Sequence, residues 1–269
     1  MATILDNIVE TKRREVEQAR TSCPLDQMKA AARHAPPSRD FFAALAGPAA
    51  RGVHLIAEIK KKSPSAGLIR ADFDPVTLAG IYADSGASAL SVLTDESYFD
   101  GRLEYIEQVK RVIDLPVLRK DFMIDPYQIY EARAAGADAI LLIGEVLDPP
   151  LLREMRDLAG ELGMTSLIEV HEEQTLDKVL KTVSFNPDTR CLLGINNRNL
   201  KIQRIDLDTT RRLADLAPPA TILVSESGIK TRADVEQLVT CGARALLIGE
   251  TFMRAPDIRG KIDELLGSP

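Results

Sequence analysis

"AILLIGEVLDPPLLREMRDLAGELGMTSLIEV", residues Ala139 to Val170, holds one repeat of the pattern that sets the architecture. "AILLI" (Ala139–Ile143) is a short, wholly apolar run of strand length. "DPPLLREMRDLAGELG" (Asp148–Gly163) is amphipathic at helical period. It opens on Asp and Pro, which suit a helix N-terminus, and closes on Gly, which suits a helix end. "SLIEV" (Ser166–Val170) is apolar again except for Glu169. Apolar strands on either side of an amphipathic helix are the mark of a parallel β-α-β unit.

The same alternation runs through most of the chain. Strand-like runs are "VHLIAEI" (53–59), "ALSVLT" (89–94), "PVLRK" (116–120), "AILLI" (139–143), "SLIEV" (166–170), "LLGIN" (192–196), "TILVSES" (221–227) and "ALLIG" (245–249). Helix-like stretches lie between them, among them "DPVTLAGIYADSGA", "DPYQIYEARAAGA" and "TRADVEQLVTCGA", and "DIRGKIDELL" follows the last strand. Eight β-then-α units in about 220 residues match a closed α/β barrel, the (β/α)8 or TIM type. No GxGxxG follows a strand, which counts against a dinucleotide-binding open sheet. Ahead of the barrel, Ile4 to Arg20 read as a helix through Ile4, Ile8, Val9, Lys12 and Val16. "HAPPSRD" is a linker in which Ser38 or Asp40 is the cap of a short helix "FFAALAG". The expected organisation is one domain over residues 1–269. Residues 1–50 form an N-terminal helical extension that covers one mouth of the barrel, and residues 51–269 form the barrel.

Composition narrows the function. The chain has 269 residues, 45% hydrophobic and 28% charged, with a net charge of -6. That balance argues against a nucleic-acid partner. No apolar run reaches bilayer length, and the acidic N-terminus lacks a signal-peptide core, so no membrane role is expected. Cys23, Cys191 and Cys241 are odd in number and widely spaced. They suit a reducing, cytoplasmic setting and offer no metal spacing, and Cys191 and Cys241 read as buried fillers.

In such a barrel, chemistry gathers at the C-terminal ends of the strands. Polar residues recur there. The first strand ends with Glu58 and Lys60, which share a face because a strand alternates its side chains. The third ends with Arg119 and Lys120, then Asp121. The fifth carries Glu169, the sixth Asn196 and Arg198, the seventh Glu226 and Ser227, and the eighth "IGET". Buried charges on one face are costly unless paired or used. The turns "SESGI" and "LIGET", with Gly228 and Gly249, can expose backbone N–H groups. With Lys60 and Ser63 across the mouth they suit a phosphate monoester. His171 follows Glu169 in parity yet sits at the next helix start. Lys61 and Lys62 read as solvated loop charges. The Tyr-Phe pair in "DESYFDG" suits either a pocket wall or a loop anchor.

"AEIKKKSPSAG" (57–67), "SVLTDESYFDG", "LRKDFMIDPYQIYEAR", "LIEVHEE", "GINNRNL", "VSESGI" and "LLIGETFM", in this order, resemble the indole-3-glycerol-phosphate synthase family, and the likeness spans essentially the whole chain. The resemblance implies a cytoplasmic lyase of tryptophan biosynthesis. Its reaction converts 1-(2-carboxyphenylamino)-1-deoxy-D-ribulose 5-phosphate to indole-3-glycerol phosphate by ring closure, decarboxylation and dehydration, with no metal or organic cofactor. It implies Lys120, Glu169, Lys60, Glu58 and Asn196 as catalytic residues. Substrate binding falls to Ser63, Arg198, Glu226 and Ser227, and the phosphate to Ser63, Ser227, Gly228, Gly249 and Glu250. Glu250 stands where some members carry Ser. The only partner expected is the phosphorylated small molecule, acting on a monomer. The rival readings are a phosphoribosylanthranilate isomerase type, which would carry a Cys on the first strand, a Schiff-base aldolase using Lys120, and a non-catalytic phosphate-binding barrel.

Overall fold

A computed structural model describes residues 3–199 and 204–267. The outermost residues of the expected ranges, and Leu200 of "GINNRNL", lie outside them. Three helices come first: α1 (Ile4–Ser22), α2 (Leu25–His34) and α3 (Phe41–Ala46). The barrel follows as β1 (His54–Ile59), a hairpin of β2 (Lys62–Ser63) and β3 (Gly67–Leu68), α4 (Pro75–Asp84), β4 (Ala89–Leu93), α5 (Glu96–Phe99), α6 (Glu104–Lys110), β5 (Val117–Lys120), α7 (Pro126–Ala134), β6 (Ala139–Ile143), α8 (Pro149–Glu161) and β7 (Thr165–Val170). It closes with α9 (Glu173–Thr182), β8 (Cys191–Asn196), α10 (Asp208–Ala214), β9 (Leu223–Glu226), α11 (Arg232–Thr240), β10 (Ala245–Ile248), α12 (Glu250–Met253) and α13 (Ile258–Leu266).

All eight strands read from the sequence pair in parallel and close on themselves in the order β1-β10-β9-β8-β7-β6-β5-β4. The Asp-Pro starts act as read. Asp74, Asp125 and Asp148 each accept a backbone N–H from the first turn of the helix they precede. Asp40 is the cap of α3, accepting from Ala43, whereas Ser38 donates to the Gly163 carbonyl instead. Helix α2, the β2–β3 hairpin and the four-residue α5 were not anticipated. The last two are too short for a periodic signal.

Strand alternation sorts the core in two. Outward residues such as Leu55, Ala57 and Ile59 pack against the helices. Inward residues such as Ile56, Leu118, Leu141, Leu167, Leu192, Val224 and Leu247 fill the barrel. Phe41 and Leu45 of α3 and Leu5 and Ile8 of α1 join this inner cluster. Helix α3 sits at the N-terminal end, where Gly47 accepts from His54 and Arg244 beside the strand starts. Helix α1 lies over the opposite, C-terminal mouth, where Leu5 and Ile8 share a cavity with the strand ends.

A buried ion cluster ties α1 to that mouth. The Lys12 ammonium, 4% exposed as a residue, lies 2.8 Å from Asp121, 3.0 Å from Asp95 and 2.6 Å from Glu15. Asp121 also accepts from Thr94 and pairs with Arg119. Arg119 points outward, to Glu131 at 2.8 Å and the Gln128 carbonyl. So of the charges ending β5, Arg119 and Asp121 brace the strand on its outer side. Removing one member of such a cluster leaves its partners buried and unpaired. Lys12→Met is therefore expected to lower stability by about 3–5 kcal/mol. Adding Asp95→Asn should recover part of the loss, and urea unfolding of the single and double variants checks both.

Candidate active site

The C-terminal mouth encloses a cavity of about 650 Å³. Each strand contributes its last inward position. Glu58 comes from β1, Lys120 from β5, Glu169 from β7, Asn196 from β8 and Glu226 from β9, while Gly249 follows β10. The remaining residues named from the sequence, Lys60, Ser63, Arg198, Ser227, Gly228 and Glu250, also line this cavity.

At its centre the Lys120 ammonium lies 2.9 Å from Glu169 Oε2 and contacts Glu226 Oε2. Both carboxylates are almost wholly buried, with 2% and 1% of their side chains exposed. Beside them Lys60 donates to Glu58 at 2.5 Å. The pairing sets the charge states. Burial works against the Lys120 ammonium, but Glu169, Glu226 and Glu58 outweigh it and hold the amine well above the usual lysine range. Burial likewise works against an ionised Glu169, yet the charges of Lys120 and then His171 bring it down to about 2. For Glu226 burial prevails. Lys120 pulls it down, Glu169 repels its charge, and its carboxyl is pushed up to about 8. Within the trio the amine is thus favoured as an ammonium, Glu169 is shifted towards its ionised form and Glu226 towards its protonated form.

Two glycines make room for these acids. A Cβ on Gly194 would stand 2.5 Å from Glu226 Oε1, and one on Gly249 would stand 2.3 Å from Glu58 Oε1. Both distances are far inside van der Waals contact, so any side chain at either position displaces a carboxylate. Gly249 has an ordinary negative φ. Its lack of a side chain therefore seats Glu58, a constraint that a turn reading of "LIGET" does not contain.

The turn after β9 is strained by design. Ser227 and Gly228 have φ of 68° and 83°, and Asn197 donates to the carbonyls of Glu226 and Ser227. Its side-chain oxygen accepts from Thr210. Asn197, the second Asn of "GINNR", thus pins that turn. Facing it, the N-terminal N–H groups of α12 lack intrahelical partners. The Glu250 side chain turns to Arg254 at 2.9 Å and Arg198 at 3.5 Å. Ser63 accepts from the Ala66 N–H within the hairpin loop.

Sequence reasoning missed several lining residues. Lys230, Arg254 and Lys261 add positive charge near Glu250, and Ile4, Leu5, Ile8, Phe99 and Phe122 form an apolar wall. Tyr98 is the loop anchor of the Tyr-Phe pair, bonded to Thr11 and to the Asn7 carbonyl of α1, while Phe99 is the wall. Lys61 pairs with Asp100 at 2.5 Å. Cys191 is buried at the start of β8, whereas Cys241 is only partly buried.

The family model for indole-3-glycerol phosphate synthase matches residues 5–265. The chain belongs to the indole-3-glycerol phosphate synthase family. It is thus an enzyme, a carboxy-lyase of tryptophan biosynthesis. An indole-3-glycerol phosphate synthase of Rhodopirellula baltica is 50% identical over 99% of this chain and 100% of its own length. Another, of Roseiflexus castenholzii, is 48% identical over 99% of both. Among solved structures, 3-hexulose-6-phosphate synthase from Salmonella typhimurium superposes with a TM-score of 0.63 at 12% identity, over 79% of this chain and 96% of that one. That likeness concerns the barrel alone.

The seat of Glu58 can be tested in the synthase reaction. Gly249→Ala is expected to cost on the order of a hundredfold in turnover, because it shifts a charged group by an ångström or more. The fold should be retained by circular dichroism. Combining it with Glu58→Asp, which shortens the acid, should restore part of the rate.

Proposed function

We propose that this cavity performs the synthase reaction with Lys120 as the ring-closing acid, Glu169 as the base and Glu226 as the store of the second proton. The observation that carries this reading is the buried trio itself, with the Lys120 amine held between the carboxyl groups of Glu169 and Glu226.

Ring closure forms a bond between the aromatic carbon bearing the carboxylate and the ribulose carbonyl carbon. The carbonyl oxygen gains negative charge and needs a proton. An ammonium held this high gives up its proton only to a strong base, and a forming alkoxide is one. Loss of carbon dioxide then restores aromaticity. Lys60, braced by Glu58, is the cation that meets the substrate carboxylate. Once Lys120 has given up its proton, the charge that held Glu169 low is gone, while burial still disfavours its ionised form. Glu169 therefore becomes a stronger base at the point where dehydration requires one. Glu226 touches Lys120, so its proton can pass through the amine to the departing hydroxyl. Asn196 and Arg198 orient the substrate. The phosphate rests against Ser63, Ser227, Gly228 and the backbone at Gly249 and Glu250, where unpaired N–H groups favour an anion.

The same charges speak against a Schiff-base aldolase. A lysine held as an ammonium by two carboxylates is not a nucleophile, so borohydride should trap no substrate adduct. The isomerase reading lacks its cysteine, since β1 has none and Cys191 lies at the opposite end of the barrel. Within the synthase reading, residues 1–50 and the barrel act as one domain, supported by the Lys12 cluster and by the α1 residues in the cavity wall. A cytoplasmic setting is supported by the odd, scattered cysteines.

Two measurements test the roles. Lys120→Ala should lose about two or more orders of magnitude in turnover of the carboxyphenylamino substrate, followed by indole fluorescence, with the fold intact. Near-parent turnover would remove Lys120 from the mechanism. The second is a pH profile. If Glu226 must be protonated, turnover falls as pH rises through about 8, where this carboxyl ionises. Glu226→Gln should abolish that alkaline limb and lower the plateau. A limb that persists unchanged in the variant belongs to another group.

A further inference from the structure

The synthase reading leaves one buried titratable group beside the base without a task. His171 begins the turn after β7. Its side chain is 4% exposed, and neither it nor Glu145 lines the cavity. The ring is held from behind by Glu145, in the turn after β6. Glu145 Oε1 accepts the His171 backbone N–H at 2.9 Å, and Oε2 faces ring Nδ1 at 2.9 Å. The other ring nitrogen, Nε2, makes no hydrogen bond among the described residues. Its ionic neighbour is Glu169 Oε1, 3.3 Å away. Glu169 Oε2 is the atom that meets Lys120. The base is thus gripped on one oxygen by an imidazole and on the other by the ammonium.

We propose that Glu145 and His171 form a positioning pair that orients Glu169 and keeps it ionised, a task that rests on the synthase reading of Glu169. The pair touches no substrate and acts only through the base. A histidine serving packing alone would satisfy both nitrogens against backbone or solvent. Here the clamp fixes Nδ1 and aims Nε2 at the reacting carboxylate.

The turn that carries Glu145 is itself held rigidly. Gly144 donates to the Glu169 carbonyl at 2.8 Å. From α9, Lys178 donates to the Gly144 carbonyl at 2.7 Å and to that of Leu147 at 3.2 Å. A Cβ on Gly144 would come within 2.7 Å of Thr175 Cγ2, so α9 packs directly on this turn. The charged groups facing the imidazole are Glu145 from the β6 turn, Glu169 from β7 and Glu226 from β9. Lys120 of β5 lies beyond Glu169, and the Lys178 amine lies behind Glu145. Burial opposes a charge on His171, but the bond to Glu145 and the charge of Glu169 raise its pKa overall. An imidazolium there in turn helps hold Glu169 ionised.

The test compares His171→Asn, His171→Gln, Glu145→Gln and Glu169→Gln, each also combined with Glu169→Gln where it is not that variant. Asn can keep the bond to Glu145 but does not reach Glu169, whereas Gln can place a neutral donor near the Nε2 position. His171→Asn is expected to lose roughly ten- to a hundredfold in kcat with KM little changed. Its acidic limb of kcat/KM should move to higher pH, because Glu169 has lost a neighbouring cation. His171→Gln should recover much of the rate but keep the shifted limb, and Glu145→Gln should move both quantities in the same direction as His171→Asn. In the Glu169→Gln background, His171→Asn should cost nothing further. Parent-like kcat and acidic limb in a folded His171→Asn enzyme would overturn the proposal, and so would an equal loss in the Glu169→Gln background. If Glu169→Gln itself keeps the parent rate, the synthase role of Glu169 fails instead. The pairing is then judged by NMR titration of the His171 ring, whose raised pKa should drop in Glu169→Gln and in Glu145→Gln. A ring that titrates identically in all three proteins refutes it.

Discussion

Lys120 can carry a charge inside the barrel mouth only because Glu169 and Glu226 face it. An isolated ammonium there would shed its proton, and two isolated carboxylates would take one up. Together they reach a state in which one acid is ionised and the other is not. This mutual dependence constrains everything around it. The three residues come from β5, β7 and β9, so their contact exists only if the sheet closes with its registers intact. Glu169 stands opposite Ile143 on one side and Gly194 on the other, and Glu226 stands opposite Asn196 and Leu247. A slip of one residue would turn each acid outward against a helix. The empty positions at Gly194 and Gly249 serve the same end, leaving space across the strands for carboxylates that a methyl group would evict.

The N-terminal helices complete this arrangement from outside the barrel. Lys120 lies between Arg119 and Asp121, whose side chains project to the other side of the strand. Arg119 is tied to α7 and Asp121 to Lys12 of α1. The backbone that carries the central amine is therefore pinned on both sides by paired charges. Leu5 and Ile8 of the same helix form part of the apolar wall. One helix thus both covers the mouth and fixes the strand end beneath it. A buried ion cluster of this sort contributes little net stability compared with apolar packing. It does help specify which way the strand end points, because turning Asp121 or Arg119 away would leave buried partners unpaired.

Much of this was legible in the sequence. The eight strands announce themselves as short apolar runs, and the Asp-Pro caps mark the helices after several of them. Six of the eight strands carry a polar residue or glycine at the last inward position, which points to the C-terminal mouth, while Leu93 and Ile143 end the other two. What stayed hidden was contact between distant segments. Helix α2 touches α7, but the segment has no neighbour in sequence that reveals it. Arg119 and Lys120 look alike as a pair of cations, and only strand parity separates the outward brace from the side chain that enters the cavity. Glu145 looks like a polar residue in a turn, because nothing local shows that a histidine 26 positions later will close on it. Glu226 reads as one more polar strand end, because burial, Lys120 and Glu169, which together shift its carboxyl, come from distant segments. The cost of a Cβ at Gly249 is set by Glu58, on a strand almost two hundred residues earlier.

Charge is also divided along the cavity. In the depth, Glu58 offsets Lys60, and Glu169 offsets Lys120, while Glu226 is neutral as long as it keeps its proton. That end is close to balanced. Arg198, Arg254, Lys230 and Lys261 also line the cavity, with Glu250 partly offsetting the arginines and Glu264 paired with Lys261. A protein of net charge -6 thus presents a locally positive rim around a balanced interior. Under the proposed reaction, a substrate with a carboxylate on one end and a phosphate on the other would be drawn by the phosphate to the rim. In the proposed pose its carboxylate would then meet Lys60 and Lys120, both already paired. Entry loosens those pairs, and this is where binding energy from the remote phosphate becomes useful, since it holds the ring against the ammonium while the existing ion pairs yield. The upward shift of the Glu226 carboxyl would favour that exchange in the proposed reaction, because an additional buried negative charge there would oppose the entry of the substrate carboxylate.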